Sequence, residues 1–217
     1  MKFTEEQLNG LRLSLRDIMS EKRYNHTVEV EKMSARLAEL FCPDKTDVLR
    51  AAALLHDTTK EYSLEEQLQI CGKFGIITKC ADVLAPKTFH ARTAAALIPV
   101  NYPDFADSGV IDAVRWHTTG RENMTLVETL IYFADYIDES RKFEDCVVLR
   151  RFFWGADPAA MTDGERTELL YTAMVMSFDM TMKGLIDEQV PISEDTILAR
   201  NDFICRLAKL RKKPEGK

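Results

Sequence analysis

The sequence predicts an all-α fold in a single domain, on three observations. Apolar residues recur at helical spacing in segment after segment. Thr4-Glu5-Glu6-Gln7 and Ser63-Leu64-Glu65-Glu66 are capping boxes, which open helices. Strand signals are weak, and Asn9-Gly10 sits inside a helical pattern rather than between alternating residues. With 217 residues, 46% of them hydrophobic, one domain can bury a sizeable core.

The first helix follows the Thr4 capping box and carries Leu8, Leu11, Leu15 and Ile18. A second is expected from about Asn25 to Phe41, ended by Pro43. Asp44 is expected to cap a third that runs through Leu55 toward Thr59. The Ser63 box opens a fourth, stopping near Gly72 or Gly75. Residues 76 to 89 read as a short helix and a loop around Pro86. Further helices are expected from about His90 to Ile98, up to His117, and from about Thr125 to Ser140. A polar turn spans Gly155 to Gly164, and the last two helices run from about Glu165 to Ile186 and Asp195 to Leu210. The chain therefore reads as one domain over 1–217. The part rich in candidate ligands lies at about 24–141, and helices at about 165–210 pack on it.

The formal charge of −6 argues against non-specific binding to nucleic acid or to an anionic membrane. Five cysteines, with no Cys-x-x-Cys pair, disfavour a disulfide framework or a zinc ribbon and fit a reducing, cytoplasmic setting. The polar start Met1 to Gln7 does not read as a signal peptide, and no apolar run is long enough to span a bilayer. The basic cluster Arg211-Lys212-Lys213-Pro214 reads as a solvated terminus.

The chain has four histidines, and each falls on a helical segment in the first 120 residues. His26 shares a stripe with Val30, Met33, Leu37 and Leu40, and His56 with Val48, Ala52 and Leu55. His117 follows Val110, Ala113 and Val114, while Asp135 continues Met124, Val127 and Ile131. A single histidine on an apolar face is usually a hydrogen-bonded core residue. Four of them, with Asp57 and Asp135, read instead as metal ligands inside a helical bundle. His56 and Asp57 would point about 100° apart on an ideal helix, and converge if the helix end is distorted or if Asp57 bridges two metals. Mixed imidazole and carboxylate donors suit iron, manganese or zinc.

The order His26, His56-Asp57 and Asp135 resembles the HD superfamily of helical metal-dependent phosphohydrolases. The string His56-Asp57-Thr58-Thr59-Lys60 is close to the His-Asp-x-x-Lys form of its two-metal members, and His90 and His117 match their extra ligands. Ala134-Asp135-Tyr136-Ile137-Asp138 with Arg141, and Thr196-Ile197-Leu198-Ala199-Arg200-Asn201, are similar to the YqeK-type branch, the symmetrical bis(5′-nucleosyl)-tetraphosphatases. The resemblance covers about Tyr24 to Asn201. It implies symmetrical cleavage of diadenosine tetraphosphate into two ADP by a water or hydroxide bridging two metals, most often iron. It also implies one metal on His26, His56, Asp57 and Asp135, and a second on Asp57, His90 and His117.

Lys60, four residues past His56, is a candidate to hold a phosphate oxygen or offset charge on the leaving group. Arg141, Arg92 and Thr118 are candidate phosphate contacts, and Asp138 a candidate to orient Arg141 or a ligand histidine. Each has a plainer role as a helix-end cation, a surface ion pair or a helix stop. Tyr62, Phe89, Trp116 and Tyr136 could stack a purine, but aromatics at helical spacing are more often core. The same residues also suit another nucleotide phosphohydrolase of this fold, such as a nucleoside phosphatase, a deoxynucleotide triphosphohydrolase or an alarmone hydrolase. A non-catalytic metal and nucleotide sensor is the third reading, and the sequence leaves room for a homodimer.

Overall fold

The Thr4 hydroxyl accepts from the Gln7 amide and the Gln7 side chain accepts from the Thr4 amide, so the first helix starts where its capping box places it. The computed structural model describes residues 2–212, and these hold eleven α-helices and no strand. They are α1 (Glu5–Arg16), α2 (Glu21–Phe41), α3 (Thr46–Leu55), α4 (Leu64–Lys73), α5 (Cys80–Leu84) and α6 (Phe89–Asn101), followed by α7 (Ser108–Trp116), α8 (Leu126–Ile137), α9 (Glu144–Gly155), α10 (Asp163–Asp187) and α11 (Glu194–Lys212). No helix is long and apolar enough to cross a membrane among these residues. Lys213 and Pro214 of the basic cluster lie outside the described residues, while Arg211 pairs with Glu168.

The helices depart from the sequence expectation at several ends. α2 begins at Glu21 rather than Asn25, because the Ser20 hydroxyl accepts from the Arg23 amide and caps it earlier. Asp44 does not cap α3; it sits in a 3₁₀ turn over Pro43–Lys45. α3 stops at Leu55 and not near Thr59, and His56 to Tyr62 continue as successive turns. α6 runs through Pro99 to Asn101, since a proline in the last turn removes only one bond of the ladder. α8 stops at Ile137, because Asp138 leaves the helical region at ψ 155°. α9 has no counterpart in the sequence reading, although Cys146, Leu149 and Phe153 form its buried stripe.

α3 is the centre of the structure. Leu49 and every residue from Ala51 to Leu55 are fully buried, so the second half of the helix is apolar all round and lies inside the bundle. α1, α2, α7 and α8 pack around it. The run Ala51-Ala52-Ala53 supplies the small side chains that let those neighbours close in. α4 packs on α6, and α10 packs on α8, α9 and α11.

Gly120 joins the C-terminal helices to the rest. It has φ +65°, and a Cβ there would stand 2.8 Å from Phe178 Cζ and 3.0 Å from Ala199 Cβ. Gly120→Ala therefore combines left-handed strain of about 1–2 kcal/mol with overpacking of about 1–3 kcal/mol. The expected cost is about 3 kcal/mol, or a fall of about 6–12 °C in melting temperature for a chain of this size. A thermal melt reads this directly, and an unchanged midpoint would contradict the tight packing of Gly120 against α10 and α11.

Candidate metal centre

The turn after α3 overcomes the 100° divergence of adjacent side chains. With the helix ended at Leu55, His56 and Asp57 both face the same buried cluster. The His56 Nδ1 lies 2.6 Å from the Ala53 carbonyl, which fixes its proton there and leaves Nε2 bare toward the cluster. His117, just past the end of α7, repeats this device, with Nδ1 2.7 Å from the Val114 carbonyl. His26 enters from α2 and His90 from the first turn of α6. Asp135 enters from the last turn of α8.

The four imidazoles and two carboxylates converge tightly. His26 Nε2 is 3.0 Å from Asp135 Oδ1, and His90 Nε2 is 3.0 Å from His117 Nε2. Asp57 lies between them with its two oxygens divided. Oδ2 is 3.3 Å from His56 Nε2 and 3.7 Å from His26 Nε2, whereas Oδ1 is 3.2 Å from His90 Nε2 and 3.7 Å from His117 Nε2. The donor atoms of His26, His56 and Asp57, and those of Asp57, His90 and His117, each lie within 4.8 Å of one another. His56 Nε2 and His26 Nε2 are buried with no hydrogen-bond partner. Buried imidazole nitrogens gathered around carboxylates are the donor set a divalent cation requires, once the nitrogen facing the ion has lost its proton. The cluster thus fits a metal site, with Asp57 placed to serve two ions.

Cations of the chain already crowd the carboxylates. Arg23 pairs with Asp57 Oδ2, and Arg141 Nη2 with Asp135 Oδ1. The helix expected to run to about Ser140 ends at Ile137, so the Arg141 guanidinium comes back to Asp135 from a loop. Asp138 Oδ2 lies 3.4 Å from both His26 Nδ1 and Arg141 Nε. Ser140 Oγ adds a contact 3.2 Å from His26 Nδ1. Lys60 lies on the turn rather than on a helical face with His56, and its Nζ is 3.2 Å from His90 Nε2. Thr118 Oγ1 is 3.2 Å from His90 Nε2 and 3.1 Å from His117 Nε2.

Arg92 is not brought to the cluster. Two residues past His90, it is carried about 200° around α6. Its guanidinium lies 2.9 Å from Asp82 of α5, and it is 7% exposed. The expectation that Arg92 contacts phosphate at this centre is therefore corrected. Arg23 and Ser140 are the contacts the sequence reading missed. The first could have been suspected from its place one turn before His26, while the second depends on the reversal after α8.

Burial opposes charge at Asp57, but His56, His117 and His90 hold its carboxyl well below the ordinary range. Burial is likewise overcome at Asp135 by Arg141 and His26. At His26 burial acts downward, yet Asp135 and Asp138 raise it to about 9. Burial pushes His90 down to about 4 and lowers His117 as well. Metal-free protein at neutral pH thus carries a proton on His26 and none on His90. Since an imidazole must lose its proton to bind a metal, uptake at pH 7 is expected to release about one proton per chain. Affinity should rise with pH up to about 9 and then level. Metal titrations in weakly buffered solution from about pH 6 to 10 measure both, and a pH-independent affinity would contradict the protonated state of His26.

A cavity of about 360 Å³ opens from the cluster, floored by Lys60, His117, Thr118 and Arg141 and walled by Tyr136 and Leu185. A larger open groove of about 960 Å³ meets the cluster at His26 and shares Lys60 and Arg141 with the cavity.

The HD domain model matches residues 23–140, a span that contains every donor of the cluster. The chain belongs to the HD domain family. Among HD proteins it is 34% identical over 183 residues to the Bacillus subtilis protein named symmetrical bis(5′-nucleosyl)-tetraphosphatase, covering 84% of this chain and 90% of that one. The protein of the same name from Halalkalibacterium halodurans is 30% identical over 190 residues, or 86% of this chain and 91% of that one. A solved Clostridium acetobutylicum structure, described as an HD superfamily hydrolase involved in NAD metabolism, superposes with a TM-score of 0.78 at 32% identity. It covers 91% of this chain and 97% of that chain. The HD fold is therefore shared over nearly the whole length, including the C-terminal helices that wall the cavity.

Proposed function

We propose that this HD protein hydrolyses dinucleoside tetraphosphates, cleaving diadenosine tetraphosphate symmetrically into two ADP. The observation that carries the reading is Asp57, whose two oxygens are divided between two pairs of imidazoles with Lys60 and Arg141 beside them. The names of the curated relatives supply the substrate class.

In this reading His26, His56, Asp57 and Asp135 hold one metal and Asp57, His90 and His117 the second. Bound there, the ions supply Lewis acidity and a water-derived nucleophile at neutral pH. Iron is our choice of metal, on the mixed imidazole and carboxylate set with no thiolate in it; manganese and zinc suit the same donors. Lys60, desolvated so that its pKa falls below the ordinary value, donates to a phosphate oxygen of the leaving ADP. Arg141 clamps a neighbouring phosphate through its forked donors. Thr118 donates to a phosphate oxygen beside His90 and His117. Asp138 and Ser140 fix the His26 ring so that Nε2 faces the cluster.

The whole chain acts as one unit in this proposal, because α10 supplies Leu185 to the cavity whose floor comes from residues 60–141. The five free cysteines fit a reducing cytoplasm. The test is metal analysis of purified protein together with chromatography of products from diadenosine tetraphosphate. ADP as the sole product supports the proposal. AMP plus ATP, or no turnover with iron or manganese supplied, overturns it.

A further inference from the structure

A tetraphosphate cut at its centre has an ADP unit on each side of the scissile bond. The metal cluster must therefore open in two directions, and the structure shows two unlike openings. The cavity is largely apolar-walled, at about 360 Å³ within the range of pockets that bury a small ligand. The groove is wider, at about 960 Å³, and is rimmed by Lys22, Arg23, Lys60, Arg141, Lys142 and Phe143.

The groove's character contrasts with the rest of the molecule. The chain as a whole carries a formal charge of −6, yet five of the groove's lining residues are cations and Glu21 is the one carboxylate among them. A local cationic surface on an acidic protein raises the concentration of a polyanion where it is needed. Arg23 Nε is buried there without a hydrogen-bond partner. Phe143, the residue just before α9, is 72% exposed at the edge of this basic strip. An open aromatic face beside cations suits a nucleotide, whose base stacks while its phosphates are held.

We infer that the groove is the binding site for the second nucleoside diphosphate unit of the substrate, so that a symmetric molecule is held in two unequal sites. This rests on the tetraphosphatase reading above. The first unit occupies the apolar-walled cavity. The second lies along the groove with its phosphates on Lys22, Arg23 and Lys142 and its base on Phe143. Lys60 and Arg141 line both openings and span the central phosphates. Stacking on one open face reads no base edge, so the second nucleoside is recognised loosely.

Equilibrium titration of manganese-loaded protein with ADP tests this directly. Wild type is expected to bind two ADP per chain, and the double variant Lys22→Ala/Phe143→Ala one. The same variant should raise KM for diadenosine tetraphosphate about tenfold, the scale of one lost base stack. Both side chains are exposed, so the folded protein remains measurable. Binding of one ADP or none by wild type that still cleaves the tetraphosphate to ADP overturns the inference and leaves the activity standing. Two ADP bound by both wild type and variant, with KM unchanged, also overturns it. Two ADP bound by wild type and one by the variant, with no cleavage of the tetraphosphate, supports the groove as a nucleotide site and overturns the activity instead.

Discussion

Asp57→Ala is expected to lower turnover by at least about a thousandfold, a barrier increase of about 4 kcal/mol. The size follows from the position of the carboxylate. One oxygen faces His56 and His26 and the other faces His90 and His117, so both halves of the cluster lose their shared anion together. Four imidazoles and the Arg23 guanidinium would then surround a site with one fewer negative charge. Divalent ions would bind more weakly at both positions. Asp57→Asn separates chemistry from folding, since it keeps the shape and removes only the charge. Metal content and rate should fall together in both variants. Full metal content with retained rate would rule out Asp57 as the shared ligand.

Removal of metal should lower the melting temperature by about 10 °C. An ion present at a thousand times its dissociation constant stabilises the folded state by about 4 kcal/mol, and each kcal/mol moves a chain of this size by about 2–4 °C. The metal-free fold survives because cations of the chain stand near the carboxylates: Arg23 at Asp57, Arg141 and protonated His26 at Asp135. Calorimetry before and after chelation gives the shift, and added iron(II), manganese or zinc should restore it. An identical midpoint in both states would show that the cluster holds no ion in solution.

The inward faces of the ligand helices were legible because helical period alone places His26 beside Met33 and Leu37, or Asp135 beside Ile131. Caps were legible for the same local reason at Thr4 and Ser63. What could not be read was where local order gives way. The stop at Leu55 allows His56 and Asp57 to face one way, and it has no marker such as glycine or proline. The reversal at Asp138 returns Arg141 and Ser140 to the cluster, and no spacing along a helix announces it. Arg23 meets Asp57 across 34 residues, a pairing with no period to announce it. α9 was a different failure, since its stripe of Cys146, Leu149 and Phe153 is ordinary and was simply masked by charged neighbours. Arg92 shows the converse error, where nearness to His90 in sequence suggested a shared face that the helix does not provide.

Three helices end at this centre: α3 one residue before His56, α7 one residue before His117, and α8 two residues after Asp135. The last carbonyls of a helix carry about half a negative charge, the pole of its macrodipole. Three such poles converge where the carboxylates already stand. A cation entering is drawn by the backbone as well as by the side chains. The backbone thereby adds to the pull that the two carboxylates exert on a divalent ion.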